Sequence, residues 1–206
     1  MQKIIIVGAG GFGREVAWVI DRINQRQEYY QVRGFCDDDP SKENDLSDTS
    51  LFLGAVDQVI NGDLKCGFIC AIGNNKLRRS LTDKFISVGF TPCSIIDPSA
   101  VIAHDAKVGG GSFVGINSVI SVRSQVGTGC IVNHNVSVGH DVTVPDYAQL
   151  CPGVSVSGEC RIGEGALLGS NSCTIPCKAM GDWSVLGVGG VLISDLEEGG
   201  SRVRIR

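Results

Sequence analysis

The sequence has no long apolar run. Its aliphatic residues are broken up by polar ones every few positions, and nothing approaches the roughly 18 consecutive apolar residues of a membrane span. Membrane insertion is therefore not expected. Charge is also sparse: 19% of residues are charged and the net charge is -4. That leaves no basic surface to neutralise a phosphate backbone, which argues against nucleic acid as a partner. The start, Met1-Gln2-Lys3 followed by Ile4 to Val7, lacks the three regions of a secretion signal, because its apolar stretch is short and ends in glycines. The expectation is a soluble, cytoplasmic protein.

Nine cysteines stand in the chain. An odd number without a secretion signal points to reduced thiols rather than a disulfide framework. Cys66 and Cys70, and Cys173 and Cys177, form CxxxC pairs, but there is no CxxC and no histidine near enough to complete a zinc quartet. No metal is expected, and most cysteines read as small apolar packing residues.

Glycine is abundant, 28 of 206 residues, about twice the average share of about 7%. Two halves with different periodicities appear. Residues 1–92 alternate strands and helices: Lys3 to Val7 as a strand, Gly13 to Arg22 as a helix, Tyr30 to Cys36 as a strand, an acidic loop from Asp37 to Ser50, Phe68 to Ile72 as a strand, and Lys76 to Val88 as a helix ended by Gly89. This predicts a small Rossmann-like α/β domain with a parallel sheet.

Residues 93–206 repeat every six positions. From Ile96 to Leu168, each sixth residue is aliphatic without exception, and the residue four places after each is small or β-branched. Glycine often follows the aliphatic residue, as at Gly109, Gly115, Gly127, Gly139, Gly163 and Gly169, where a sharp turn would need it. A period of six is neither helical nor a plain alternating strand. It predicts a solenoid of short parallel strands, three hexapeptides to a triangular coil and coils about 4.8 Å apart. The pattern loosens between Ser170 and Met180, which suggests a loop or irregular coil, and Gly199 to Arg206 reads as a loose tail.

The hexapeptide pattern resembles the left-handed parallel β-helix acyltransferases. Scarce threonine, with only Thr128, Thr143 and Thr174 in the repeat, argues against an ice-binding face. Both halves together resemble the sugar-nucleotide acetyltransferases of the PglD and NeuD type. The motifs that carry the likeness are VGAGGFGREV at 7–16, GFCDDDP at 34–40, CAIGNN at 70–75 and SVGHDVTV at 137–144.

Gly8-Ala9-Gly10-Gly11-Phe12-Gly13 satisfies GxGxxG between a strand and a helix. Taken alone, it is a tight βα turn or a dinucleotide fingerprint, with Asp37 or Asp38 near where a ribose-binding carboxylate would stand. Residues 1–92 are half of a full dinucleotide fold, however, and nothing downstream looks like a hydride-transfer site. The resemblance instead assigns Gly10, Gly11, Phe12, Asp37, Asp38, Gly73 and Asn74 to a nucleotide-linked sugar, with Asn75 and Arg78 as helpers; Arg78 reads equally as a solvated helix residue. Relatives often carry histidine where Phe12 stands, and they commonly end in a glycine-proline-alanine segment that this chain lacks.

The three histidines, His104, His134 and His140, each fall two places after an inward aliphatic residue. His140 is singled out because Asp141 follows it and the pair matches the family's catalytic dipeptide. An amine attacking a thioester must shed a proton, and imidazole accepts one at neutral pH while a carboxylate fixes its tautomer. The resemblance further implies acetyl-CoA as cosubstrate, a homotrimer with pantetheine between subunits, and contacts from Asn133, His134, Gln149, Gly158, Ser170 and Val188. The activity it implies is N-acetylation of a nucleotide-linked amino sugar, a 4-amino-4,6-dideoxyhexose, for surface-glycan synthesis, with His140 as base and Asp141 as its partner. O-acetylation of a sugar or sialic acid, or an NAD-binding regulator with a β-helical stem, are the alternatives.

Overall fold

The computed structural model describes residues 1–202. It divides into two compact units, the first Met1–Ile95 and the second beginning at Ile96.

The first unit runs β1 (Gln2–Val7), α1 (Gly11–Arg26), β2 (Tyr30–Cys36), α2 (Val56–Asn61), β3 (Gly67–Cys70), α3 (Asn75–Ser87) and β4 (Thr91–Pro92). All four strands are parallel, in the order β2-β1-β3-β4. Ile4 to Val7 are fully buried, as a parallel strand covered on both faces requires. On α1, Gly13, Val16, Val19 and Ile20 form the buried face. The helix is longer than its apolar pattern, because the exposed ends add no buried periodicity. The region read as an acidic loop contains two short 3₁₀ turns, Pro40–Asp45 and Thr49–Leu51, begun by Asp39 and Asp48, whose carboxylates accept the Ser41 and Ser50 N–H groups. Helix α2 was not legible: six residues are too few to show a period.

The second unit is a left-handed parallel β-helix. Strands of two residues pair in parallel at a spacing of 18, such as Phe113↔Ile131, Ser137↔Ser155 and Gln125↔Thr143, which is three hexapeptides per coil. The aliphatic columns fill the interior; Val114, Val132, Val138, Leu150, Leu168, Leu186 and Leu192 have no exposed surface. Each such side chain contributes about 1.5–3 kcal/mol by burial.

Three expectations are corrected here. The coil does not break after Ser170: Cys173–Thr174 keeps the register, with Thr174 in the aliphatic column and buried. Its hydroxyl accepts the Ser157 N–H at 2.9 Å. The chain end is also built in, since Ser201–Arg202 pairs with Val185–Leu186; residues 203–206 lie outside the described residues. Finally, the sharp turn falls two places after the expected glycines. Every sixth residue from Gly111 to Gly189 has a left-handed backbone, nine of them non-glycine, including Arg123, Asp141 and Glu159. That conformation costs about 1 kcal/mol or more each and persists only when over-determined. Here the N–H of these residues is commonly tied to the preceding coil, as Asp141 N–H is to the Val122 carbonyl at 3.0 Å. The glycines after the aliphatic residue serve stacking instead: a Cβ on Gly109 would stand 2.6 Å from the Gly127 backbone.

Candidate active site

His140 and Asp141 occupy one corner of the second unit. The imidazole Nδ1 lies 2.8 Å from Asp141 Oδ2. Asp141 in turn receives Arg123, from the coil before, with Nε at 2.5 Å from Oδ1 and Nη2 at 2.7 Å from Oδ2. The Arg123 guanidinium, followed by the His140 contact, pulls the Asp141 carboxyl down to about 2. The carboxylate is thus ionised at neutral pH and carries no proton, so the Nδ1 in contact with it carries one. In the neutral ring, Nε2 is then the nitrogen that carries the lone pair. Nε2 faces Gly158 in the next coil, where a Cβ would come within 2.5 Å of it. A polar cavity of about 340 Å³ opens beside Asp141, with Glu159, Arg161 and Lys178 on its wall.

The adjacency used to single out His140 does not separate it from His104, because Asp105 follows His104 in the same way. The structure does separate them. Asp105 does not adopt the left-handed conformation that Asp141 does, and its Oδ1 accepts the Arg123 backbone N–H at 3.1 Å. Among the described residues, His104 makes no hydrogen bond to it. Sequence reading missed Arg123, yet it was findable: it stands 18 residues, one coil, before Asp141.

The residues assigned to acetyl-CoA divide between two corners. His134, Ser170 and Val188 stack on one, at multiples of 18, while Gly158 shares the corner of His140. Gln149 lies on a strand between Ile131 and Leu167, its Oε1 buried without a partner. His134 Nδ1 accepts the Ile116 N–H at 3.0 Å, and Asn133 Oδ1 accepts the His134 N–H at 2.7 Å. Within one chain, then, His134 and Asn133 sit on a different corner from His140.

In the first unit, the residues assigned to the sugar nucleotide gather at the C-terminal ends of β1, β2 and β3, where the strand order reverses and open α/β sheets bind ligands. The glycines there are of two kinds. Gly8 has φ +105°, and a Cβ on Gly13 would strike the Gly8 carbonyl, so the fold demands both. Gly10, Gly11 and Gly73 have ordinary backbones and open space where a Cβ would be. Asp37 ties the loop down, Oδ2 accepting the Ala9 N–H at 2.9 Å and Oδ1 the Asp39 N–H at 3.0 Å. Asp38 accepts the Val56 N–H that opens α2, and Asn74 that of Leu77 in α3. Phe12 is half-buried in the first turn of α1. Arg78 is no solvated helix residue: it is 1% exposed and donates to the Ile72 carbonyl at 2.8 Å, holding the chain just before Gly73.

Residues 3–85 match the family model of the PglD N-terminal domain. The chain resembles the PglD-type sugar-nucleotide acetyltransferases of the hexapeptide-repeat superfamily. Perosamine N-acetyltransferase from Caulobacter crescentus, solved as a histidine-to-asparagine variant with CoA and GDP-perosamine, is similar at 25% identity, with 99% of this chain and 94% of that one covered and a TM-score of 0.88. The acetyltransferase domain of PglB from Neisseria gonorrhoeae, solved with acetyl coenzyme A, is similar at 28% identity over 97% of this chain and 95% of that one, also at a TM-score of 0.88. The likeness therefore spans both units. Among its described residues, all nine cysteines are free, and no three His, Cys, Asp or Glu side chains are grouped to hold a metal ion. Burial pushes the Cys36 and Cys70 thiols up to about 12, which suits packing residues. No helix among the described residues is long and apolar enough to cross a membrane.

Proposed function

We propose that this chain is an acetyl-CoA-dependent N-acetyltransferase acting on the amino group of a nucleotide-linked sugar, a 4-amino-4,6-dideoxyhexose. The observation that carries the reading is the 2.8 Å contact between His140 Nδ1 and the Asp141 carboxylate, which calls for the proton on Nδ1. The sugar amine attacks the thioester carbonyl carbon and loses a proton to His140 Nε2. The C–S bond then breaks, and the imidazolium returns that proton to the departing sulfur, giving the amide and free CoA. Asp141 stabilises the imidazolium while it lasts. The nucleotide sits where Gly10, Gly11 and Gly73 leave the backbone open, next to the positive end of α1, where a pyrophosphate is favoured. The CoA and GDP-perosamine of the perosamine enzyme, and the acetyl coenzyme A of the PglB domain, support this choice of substrates.

The active assembly is a homotrimer. The column Val101, Val119, Ser137, Ser155, Cys173 and Val191 presents a face free of charge, with Val101 61% exposed. Such a face gains most against another copy. A three-fold arrangement would also bring the His134–Ser170–Val188 corner of one copy to the His140–Gly158 corner of the next, so that one pantetheine meets both.

Free-CoA release from acetyl-CoA tests the reading, with UDP-, dTDP- and GDP-linked 4-amino-4,6-dideoxyhexoses as acceptors beside their hydroxyl counterparts. The expected result is turnover with one amino sugar, none with its hydroxyl counterpart, and a loss of about 10²–10⁴-fold in His140→Ala. Turnover with the hydroxyl sugar alone would replace it with O-acetylation, and absence of thiol release with every acceptor would remove it.

A further inference from the structure

The sequence holds two His-Asp pairs at the same corner, two coils apart, and only one is assembled. What distinguishes them is Arg123, which lies in the coil between. Its backbone N–H engages Asp105 Oδ1, and its guanidinium turns the other way and grips both oxygens of Asp141. A bidentate guanidinium–carboxylate pair fixes the plane of the carboxylate as well as its charge. With that plane fixed, Oδ2 is held where His140 Nδ1–H can reach it. The coil after His104 also differs: Val122 stands there, where Gly158 stands after His140.

Resting on the reading of His140 as the base, we propose that Arg123 is a positioning residue that locks Asp141, and through it the Nδ1–H tautomer of His140, while leaving the His104–Asp105 pair unassembled. It acts in two ways. Orientation keeps Nε2 unprotonated and directed toward Gly158. Charge moderates Asp141: with the guanidinium in place, the carboxylate stabilises the imidazolium less than it would alone, so the proton taken from the amine is more readily given up to the leaving sulfur. The other charged or titratable groups around this corner are Asp105 from two coils before, Glu159 from the coil after, and Arg161, Cys177, Lys178 and Asp195 around the adjoining cavity. None of them is hydrogen-bonded to the Asp141 carboxylate.

Histidine ring NMR of the full chain tests this without requiring substrate, since three histidines are readily assigned by single replacements. In wild type, the neutral His140 ring is expected as one tautomer, protonated at Nδ1. Arg123→Gln is expected to mix the tautomers and to raise the titration midpoint of His140 by about half a unit or more, because the imidazolium then faces an uncompensated carboxylate. Arg123→Lys, which keeps the charge but loses the fork, is expected to mix the tautomers with a smaller change in midpoint; it carries the test if the Gln variant does not fold. His104→Ala should leave the His140 signals unchanged. If tautomer and midpoint in both Arg123 variants coincide with wild type while Asp141→Asn moves them, Arg123 is a structural residue only and the proposal is overturned. The reading beneath it fails separately, through full activity of His140→Ala in CoA release.

Discussion

The His140 ring lies against the backbone of Gly158, one coil further on, with no side chain between the glycine and Nε2. A Cβ at this position would stand 2.5 Å from Nε2 and 2.7 Å from Cε1. Gly158→Ala is therefore expected to displace the ring and lower kcat by about 10²-fold, the scale of misplaced catalytic groups. Thermal melting should change far less than activity. Wild-type kcat in a folded Gly158→Ala protein would show that Nε2 is not the acting atom.

Asp141 is held well below the ordinary carboxylate range by Arg123 and His140, at about 2 rather than 3.8. Activity measured between pH 4.5 and 8 should consequently show no step from the Asp141 carboxylate. The stability side has a fixed sign. A depressed carboxyl contributes stability above its unfolded value, about 3.8, and loses it as pH falls through about 2. The melting difference between wild type and Asp141→Asn should accordingly shrink on acidification from pH 5 toward 2. A difference that widens in that range contradicts the assignment.

Glycines of the β1–α1 loop should respond in opposite ways. Gly10→Ala and Gly73→Ala meet open space at ordinary φ, so melting should hold or rise slightly, while KM for the nucleotide sugar rises about tenfold or more. Gly13→Ala collides with the Gly8 carbonyl and should cost about 1–3 kcal/mol or more. Unchanged KM in both Gly10→Ala and Gly73→Ala would remove the nucleotide from this loop.

Thr174→Val restores the aliphatic column yet should destabilise. It deprives the half-buried Ser157 N–H of its acceptor, and a donor left unpaired there costs about 1 kcal/mol, the low end of the buried-donor range. Denaturant unfolding of the two proteins side by side would measure it; a Val variant as stable as wild type contradicts it.

Val119→Glu places a charge on the uncharged face of the β-helix. Sedimentation should show dissociation to monomers, and KM for acetyl-CoA should rise more than tenfold, since its two contact corners then no longer meet. A trimer that persists would assign another face to assembly.

The β-helix was legible because a constraint repeated every six residues leaves two columns that no other fold explains. Thr174 misled for the same reason: the pattern reports hydrophobicity, whereas the position tolerates any side chain that finds a partner inside. The glycine loop was legible from spacing, but its division into Gly8 and Gly13, required by the fold, and Gly10, Gly11 and Gly73, not required by it, depends on what lies opposite each Cα. Helix α2 and the Pro40–Asp45 and Thr49–Leu51 turns escaped, being shorter than any period that could announce them.

The sequence by itself determined the coil length, the inward columns and the strand–glycine–helix entry of the first domain, since these follow from periodicity along the chain. Adjacency alone offered His104–Asp105 and His140–Asp141 on equal terms, and only the resemblance singled out the second. Only the tertiary structure shows how their surroundings differ, because the difference lies in what the neighbouring coils supply: the guanidinium of Arg123 from the coil before, and the missing side chain of Gly158 in the coil after.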